Sequence, residues 1–343
     1  VLTSSHVRSA LSRDHETAAL VGRVAVRGRP VPVRLRNGQL FDLSSEAPTM
    51  ADLLDRPDAS DIAGTPLCSL DALSPPGGDG PVLLSPIDLQ CVKACGVTFA
   101  VSAIERVIEE RARGDQQRAA DLRAALEQRV GDGIRAVVPG SEAAQRLKAA
   151  LIDAGLWSQY LEVAIGPDAE VFTKAAVLST VGWGDFVGIR SDSQWNNPEP
   201  EVVLAINSAG TAVGATLGND VNLRDFEGRS ALLLGKAKDN NASCALGPFI
   251  RLFDGQFTMD DVRTAELELL IEGADGYRLE GRSSMREISR DPLELVRQSL
   301  SEHQYPDGLV LFLGTLFAPV QDRDTAGHGF THNFTHAGAA GSA

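Results

Sequence analysis

The chain has 343 residues, 43% of them hydrophobic and 23% charged, which is long enough for two domains and ordinary for a globular protein. A formal net charge of −14 excludes a general phosphate-binding surface, because nucleic-acid binding leans on clustered Lys and Arg; no nucleic-acid partner is expected. There is no run of about 18 apolar residues, so no transmembrane helix or membrane partner is expected either.

Cys68, Cys91, Cys95 and Cys244 fit neither a disulfide framework nor a paired zinc motif, and a reducing cytoplasm is the expected compartment. The start, Val1-Leu2-Thr3-Ser4-Ser5-His6, has no apolar signal core and no initiator Met, so native residues are expected to precede it.

In chain order, the stretch 21–44 alternates apolar and polar residues (Val24, Val26, Val31, Val33, Leu35) around Gly28 and Asn37-Gly38, which predicts a β-meander with a hairpin turn. A short helix is expected at Met50 to Leu54, and Pro66 to Pro81 reads as the best linker in the chain. Three helices follow. The first covers Ala100 to Arg113 with the stripe Val101, Ile104, Ile108; the second runs from an Asp115 cap to about Val130; the third starts near Ser141 and stops at Gly155. Short strands are then expected at Val171–Phe172, Val187–Ile189, Val202–Ile206, Ala231–Leu234, Ala265–Ile271 and Leu309–Leu313. One helix interrupts them, capped by Asp291 with Pro292 in its first turn and continuing through Leu300. The resulting division is a small N-terminal β domain (1–80), a helical connector with a lid (81–163), and a large β-rich domain (164–343) that holds the chemistry.

The most informative segment is Asn197-Pro198-Glu199-Pro200-Glu201, followed by Val202 to Ile206. In extended chain Glu199 and Glu201 share one face, and the two prolines place them at a strand entry or edge. After an alternating Val213–Leu217 run comes Asn219-Asp220-Val221-Asn222-Leu223-Arg224-Asp225. Adjacent antiparallel strands would bring Asp220 beside the glutamates. Three carboxylates in contact repel by about 4 kcal/mol per pair at an effective dielectric near 20, so protons or a cation must relieve them. Oxygen-only ligands select a hard divalent ion, Mg2+ first, with Mn2+ or Ca2+ as alternatives. Glu266-Leu267-Glu268 has the same spacing, but there the glutamates alternate with Leu267, Leu269 and Ile271 as on a half-exposed strand, and that pair reads as surface.

Further segments complete a pattern: Phe172-Thr173-Lys174, Pro198 through Glu201, Asn219 through Asp225, Lys238 followed nine positions later by Gly247-Pro248, and Gly314-Thr315. Taken in order, these resemble the fumarylacetoacetate hydrolase family over roughly residues 90–330. The resemblance implies an α+β chain whose large domain is a mixed β-sandwich roll, and a Mg2+ ion on Glu199, Glu201 and Asp220. It also implies Lys238 as the pocket lysine, rather than Lys236, and Thr315 as a contact for the substrate carboxylate. Lys174 and Arg224, within the matching motifs, are further expected substrate contacts, and a homo-oligomer (dimer or tetramer) is expected.

Two departures narrow the reading. The family's hydrolases carry a His with a Glu three positions later after the lid's glycine turn. Here Ala94 to Phe99 matches the turn and Glu105 matches the Glu, but Ser102 stands at the His position. The connector from Glu201 to Asp220 is also shorter than hydrolase branches carry. Both departures resemble the family's sugar-acid dehydratases, which act on 2-keto-3-deoxypentonates. At the other end, the family's Gly-Asp turn and closing strands after Gly327 to His332 are replaced by Asn333 to Ala343, through loss or divergence.

The expected chemistry starts from a 2-keto acid bound to the metal through its carboxylate and C2 carbonyl. Loss of a C3 proton gives an enolate that expels the C4 hydroxyl as water and proceeds to 2-ketoglutarate semialdehyde (2,5-dioxopentanoate). Glu105 is the expected acid/base, on the face of Val101, Ile108 and Ala112, and Lys238 complements negative charge. The alternatives are hydrolytic C–C cleavage of a 2,4-diketo acid, decarboxylation of oxaloacetate, and a non-catalytic sugar-acid sensor.

Overall fold

The computed structural model describes residues 4–113, 137–273, 275–317 and 340–342. The second expected helix (from Asp115) and the chain around Phe330 lie outside them.

Strands β1 (Leu20–Val26), β2 (Arg29–Arg36), β3 (Gln39–Asp42) and β4 (Thr65–Ser69) form the expected antiparallel meander. Its turns are Arg27-Gly28, with φ of 51° and 78°, and Asn37-Gly38, with φ of 50° and 72°. Two consecutive positive φ values match the right-handed twist of a hairpin, which is why Gly follows in both.

The later strands are β5 (Val82–Leu84), β6 (Cys91–Gly96), β7 (Glu170–Ala175), β8 (Val181–Gly182), β9 (Asn196–Asn197), β10 (Pro200–Ile206), β11 (Ala212–Asp220) and β12 (Asn222–Leu223). They continue with β13 (Cys244–Leu246), β14 (Ile250–Leu252), β15 (Glu266–Glu272), β16 (Arg278–Ser284), β17 (Leu309–Phe312) and β18 (Ala340–Ser342).

A 13-stranded sheet runs β4-β3-β2-β1-β14-β11-β10-β17-β6-β7, with β5, β8 and β13 attached beside that path. The meander is thus hydrogen-bonded into the large sheet, through Leu20 and Val21 of β1 against Arg251 and Ile250 of β14. The sheet is mixed, since β17 pairs parallel with β6 and β13 with β8.

Helices α1 (Ser4–Ser9), α2 (Met50–Leu54), α3 (Ala100–Ala112), α4 (Glu142–Asp153) and α5 (Gln159–Ile165) precede or interrupt the first strands. Later come α6 (Arg224–Glu227), α7 (Leu234–Lys238), α8 (Met259–Thr264) and α9 (Pro292–Leu300). The helix start expected near Ser141 and the cap expected at Asp291 are in place: Ser141 accepts from Ala144 N, and Asp291 accepts from Leu293 N ahead of Pro292. None of the described helices is long and apolar enough to cross a membrane.

Three sequence expectations fail for local reasons. Ala231–Leu234 is a 3₁₀ turn entering α7, and Leu232 there is 95% exposed, so an apolar run too short to show a period was misread as strand. Val187–Ile189 forms no strand. Pro66–Pro81 includes most of β4 and an isolated bridge between Ser74 and Val82; Pro66 is tolerated because β4 is the sheet's edge and has no neighbour on one side.

Strand β10 is buried throughout, between β11 and β17. Its side chains alternate between two cores. Val203 and Ala205 join Val310, Phe312, Val92, Ala94, Leu246 and Ile250 in one, while Val202, Leu204 and Ile206 join Leu309 and Leu311 in the other. The first core draws on β1, β6, β7, β10, β13, β14 and β17, so the sheet curls around it. Continuing the alternation backward along the chain from Val203 puts Glu201, Glu199 and Asn197 on this inner face. The functional groups therefore close one end of the inner core.

Candidate active site

Glu199, Glu201 and Asp220 each offer an oxygen within 4.8 Å of the others, and all three are buried. The local cause is the β10–β11 register. Glu201 lies opposite Gly218 and Pro200 opposite Asn219, and the Asp220 N–H donates to the Glu199 carbonyl at 2.9 Å, making those two residues a directly facing pair. The Glu199 N–H donates to Asn219 Oδ1 at 3.0 Å, which holds the strand entry between the two prolines. Gly218 has no side chain because a Cβ there would meet Phe312 at 2.4 Å. Glu201 Oε2 accepts from the Gly314 N–H at 2.7 Å. Gly314 has φ of 104°, and a Cβ would sit 1.9 Å from Thr98 Oγ1, so only glycine brings that N–H to the carboxylate.

The Lys238 ammonium, from the last residue of α7, contacts Glu199 and lies 3.0 Å from Asp220 Oδ2. Burial by itself would lower the Lys238 pKa, yet Asp220 and Glu199 outweigh it and hold it above its ordinary value. Lys236, on the outer side of the same helix, is exposed and lies over the Phe226 ring at 5.3 Å.

Lys174 is wholly buried and donates to the carbonyls of Val221, at 3.0 Å, and Lys238, with its ammonium also 3.1 Å from Asp220 Oδ1. Its ammonium is thus engaged by two backbone carbonyls and the Asp220 carboxylate. It points inward because the β6–β7 register slips between Val92 and Lys93, leaving Lys174 as a bulge between the pairs Thr173–Lys93 and Ala175–Val92.

Sequence reasoning missed two residues. Arg106 on α3 donates to Glu199 Oε1 at 2.7 Å and pairs with Glu227 Oε2 at 2.7 Å. Only tertiary packing of α3 against the strands creates that contact. Glu170, on β7, lies opposite Gly96, where a Cβ would be 2.0 Å from Glu170 Oε2. Burial pushes the Glu170 carboxyl up; Arg106 and Lys238 oppose this, and Glu199 and Asp220 add to it.

The other expected residues are close by. Glu105 is buried on α3 with Oε2 3.6 Å from Arg224 Nη2. Arg224 stacks over Trp195, 4.2 Å from the ring centroid. Ser102 Oγ donates to the Thr315 carbonyl at 3.1 Å, and the Thr315 hydroxyl donates to the Phe317 carbonyl at 3.1 Å. The histidines whose side chains are described are elsewhere: His15 contacts the Ser12 carbonyl and His303 the Tyr305 ring.

The donor set fits a divalent cation. All three candidate ligands are carboxylates, the set that suits Mg2+. Lys238 touches Glu199 and Asp220, whereas Glu201 makes no ion pair among the described residues. Burial, then the charges of Asp220 and Glu199, push the Glu201 carboxyl well above the usual carboxylate range. For Asp220 burial acts in the same sense, but Lys238 and Lys174 overcome it and hold the carboxyl low. The triad is thus under-neutralised at Glu201, where a cation would be stabilising. Cys68, Cys91, Cys95 and Cys244 are free thiols.

No family model matches the chain. Over 157 residues it is 31% identical to the 2-dehydro-3-deoxy-D-arabinonate dehydratase of Saccharolobus solfataricus, covering 45% of this chain and 51% of that protein. Over 165 residues it is 33% identical to a probable 2-keto-3-deoxyxylonate dehydratase of Haloferax volcanii, covering 48% of this chain and 56% of that one. The chain spans about half the length of these curated relatives. Among solved structures, a 2-keto-3-deoxy-D-arabinonate dehydratase complexed with magnesium and 2,5-dioxopentanoate matches with a TM-score of 0.62 at 22% identity, over 88% of this chain and 92% of that one. A fumarylacetoacetate hydrolase from Exiguobacterium antarcticum matches with a TM-score of 0.52 at 16% identity, over 87% of each chain. At these identities the solved structures establish the fold: the chain has the mixed α/β architecture, built on a large mixed sheet, that these two proteins share.

Proposed function

We propose that the chain is a Mg2+-dependent hydro-lyase that removes water from a 2-keto-3-deoxypentonate to give 2,5-dioxopentanoate. The observation that carries this reading is the buried triad of Glu199, Glu201 and Asp220 with the Lys238 ammonium against it. The two curated dehydratase relatives supply the substrate class. A small-molecule substrate, a cytoplasmic location and a homo-oligomeric assembly complete the reading.

A divalent ion held by the triad would withdraw electrons from a 2-keto group and so acidify the neighbouring C3–H. The chain's own residues do the rest. Lys238 places a fixed positive charge where the substrate oxygens gain negative charge. A carboxylate must take the C3 proton and deliver a proton to the departing C4 hydroxyl. Glu105 and Glu170 are the two candidates. Glu105 is paired with the Arg224 guanidinium at 3.6 Å, whereas burial raises the Glu170 pKa above its ordinary value, in the direction that suits carrying a proton. We therefore assign proton transfer to Glu170, and to Glu105 the positioning of Arg224. Loss of water across C3 and C4 leaves 5-hydroxy-2-oxopent-3-enoate; removal of a C5 proton and reprotonation at C3 give the C4–C5 enol, which takes up a proton at C4 to become the C5 aldehyde, so one water is lost and no oxidant is needed.

Hydrolytic C–C cleavage is not favoured. It requires a base that deprotonates water, and Ser102, at the position of the hydrolases' His, donates its only proton to the Thr315 carbonyl. Parallel assays of semialdehyde release from 2-keto-3-deoxypentonates and pyruvate release from a 2,4-diketo acid test the reading. Faster pyruvate release would replace dehydration by hydrolysis.

A further inference from the structure

The inner strand face that carries the triad continues past it. Asn197 on β9 pairs with Asn222 on β12, two positions beyond the facing pair Glu199 and Asp220 and in the same antiparallel register count. Directly opposed residues share a face, and side chains repeat with period two, so Asn197 and Asn222 stand on the triad's side of the ladder. Both are buried, at 1% and 0% exposure. The Asn197 amide nitrogen donates to the Pro198 carbonyl at 2.8 Å. Asn197 Oδ1, Asn222 Oδ1 and Asn222 Nδ2 have no hydrogen-bond partner among the described residues. A buried amide left unpaired is costly, so three such atoms on one facing pair call for polar partners from outside the described chain.

We propose that Asn197 and Asn222 form a subsite for the hydroxyl-bearing end of the substrate, reading the C4 and C5 hydroxyls while the 2-keto acid end lies at the triad. This rests on the functional reading above. Two acceptors and one NH2 donor match hydroxyl groups, each of which donates once and accepts, and would leave a plain alkyl chain unsatisfied. The spacing agrees. Two residues along a strand are about 7 Å, and C2 to the C5 hydroxyl is four bonds of about 1.5 Å, or about 5 Å extended. A hydrogen bond of about 2.8 Å closes the remainder.

The test compares a 2-keto-3-deoxypentonate with 2-oxopentanoate, which has the same carbon chain without the two hydroxyls. Wild-type protein, Asn222→Ala, Asn197→Ala and Asn222→Ser are loaded with Mg2+. Affinity is measured by calorimetry, or as KM and inhibition constant where turnover occurs, with product identified by NMR. Both alanine variants should weaken the pentonate by about tenfold or more while changing 2-oxopentanoate by less than about twofold, with Asn222→Ser in between. Equal changes for both ligands, or no change for either, would overturn the subsite and show amides satisfied by water. Far-UV circular dichroism and the unfolding midpoint identify any variant that fails to fold, in which case the remaining variants decide. The two readings fail separately. A pentonate that binds through the asparagines without being dehydrated sinks only the dehydratase, and one dehydrated equally well by every variant sinks only the subsite.

Discussion

Replacing Lys238 by Met removes the ammonium between Glu199 and Asp220 and keeps a side chain of similar length. The lost contact to Asp220 is at 3.0 Å, about 5 kcal/mol of attraction at an effective dielectric near 20 before desolvation is counted. Because the site is buried, water does not replace the ammonium, and removing one partner of a buried pair costs about 3–5 kcal/mol. Lys174 on Asp220 and Arg106 on Glu199 remain, so the loss should fall toward the lower end of that range. Urea unfolding in EDTA measures it, with Lys236→Met as the control. Lys236 is exposed, and its change should stay within about 0.5 kcal/mol. Saturating Mg2+ should restore more stability to Lys238→Met than it adds to wild type, because a divalent ion supplies the missing positive charge. Turnover should still fall at least ~10²-fold, the lower end for one electrostatic group. Equal losses in the two variants, or equal Mg2+ stabilisation of Lys238→Met and wild type, would refute this account of the site.

Glu199→Gln and Asp220→Asn should each abolish turnover with the fold retained, and metal analysis after gel filtration should find both depleted; stoichiometric Mg2+ in both would place the ion elsewhere. Glu170→Gln should lower turnover at least ~10²-fold and remove one limb of the pH–rate profile, whereas Glu105→Gln should retain that limb; the reverse ranking returns the proton-transfer role to Glu105. Ser102→Ala removes one hydrogen bond to the Thr315 carbonyl and should cost about 1 kcal/mol in an unfolding titration with turnover nearly unchanged. In the metal-free protein, the raised Glu201 carboxyl contributes stability that is full below its ordinary value of 4.5 and is lost as pH rises through its folded value. Asp220, held low, acts in the opposite sense and only as pH falls below its ordinary 3.8. Unfolding midpoints in EDTA should therefore drop as pH is raised above about 4.5, and Mg2+ should flatten the slope; a rise with pH in EDTA would contradict the triad's under-neutralised state.

What could be read in the sequence was what local rules determine. Period-two alternation placed Glu199 and Glu201 on one face, and an adjacent antiparallel strand brought Asp220 opposite Glu199. The same rule marked Glu266 and Glu268 as surface, and both are exposed on β15 beside a buried Leu267. Asn37-Gly38 announced a turn and Asp291 a cap through their own backbone chemistry, and a helix start was legible near Ser141. What escaped depends on contacts between distant elements. Arg106 reaches Glu199 across 93 positions, and Lys174 is aimed inward by a register slip that no spacing rule reveals. Glu170 was passed over because a single carboxylate at a strand start gives no sign of being half-buried near other acids. Short apolar runs such as Ala231–Leu234 carry too little periodicity to separate strand from helix.

The central claim is metal-dependent dehydration at the triad, and product formation followed by 13C NMR tests it most directly. A 2-keto-3-deoxypentonate labelled at C2 is incubated with enzyme stripped in EDTA, and again after Mg2+ is restored. The account predicts 2,5-dioxopentanoate only with Mg2+, and none from Asp220→Asn under either condition. Semialdehyde formed at the same rate in EDTA, or none formed with Mg2+ restored, would contradict it.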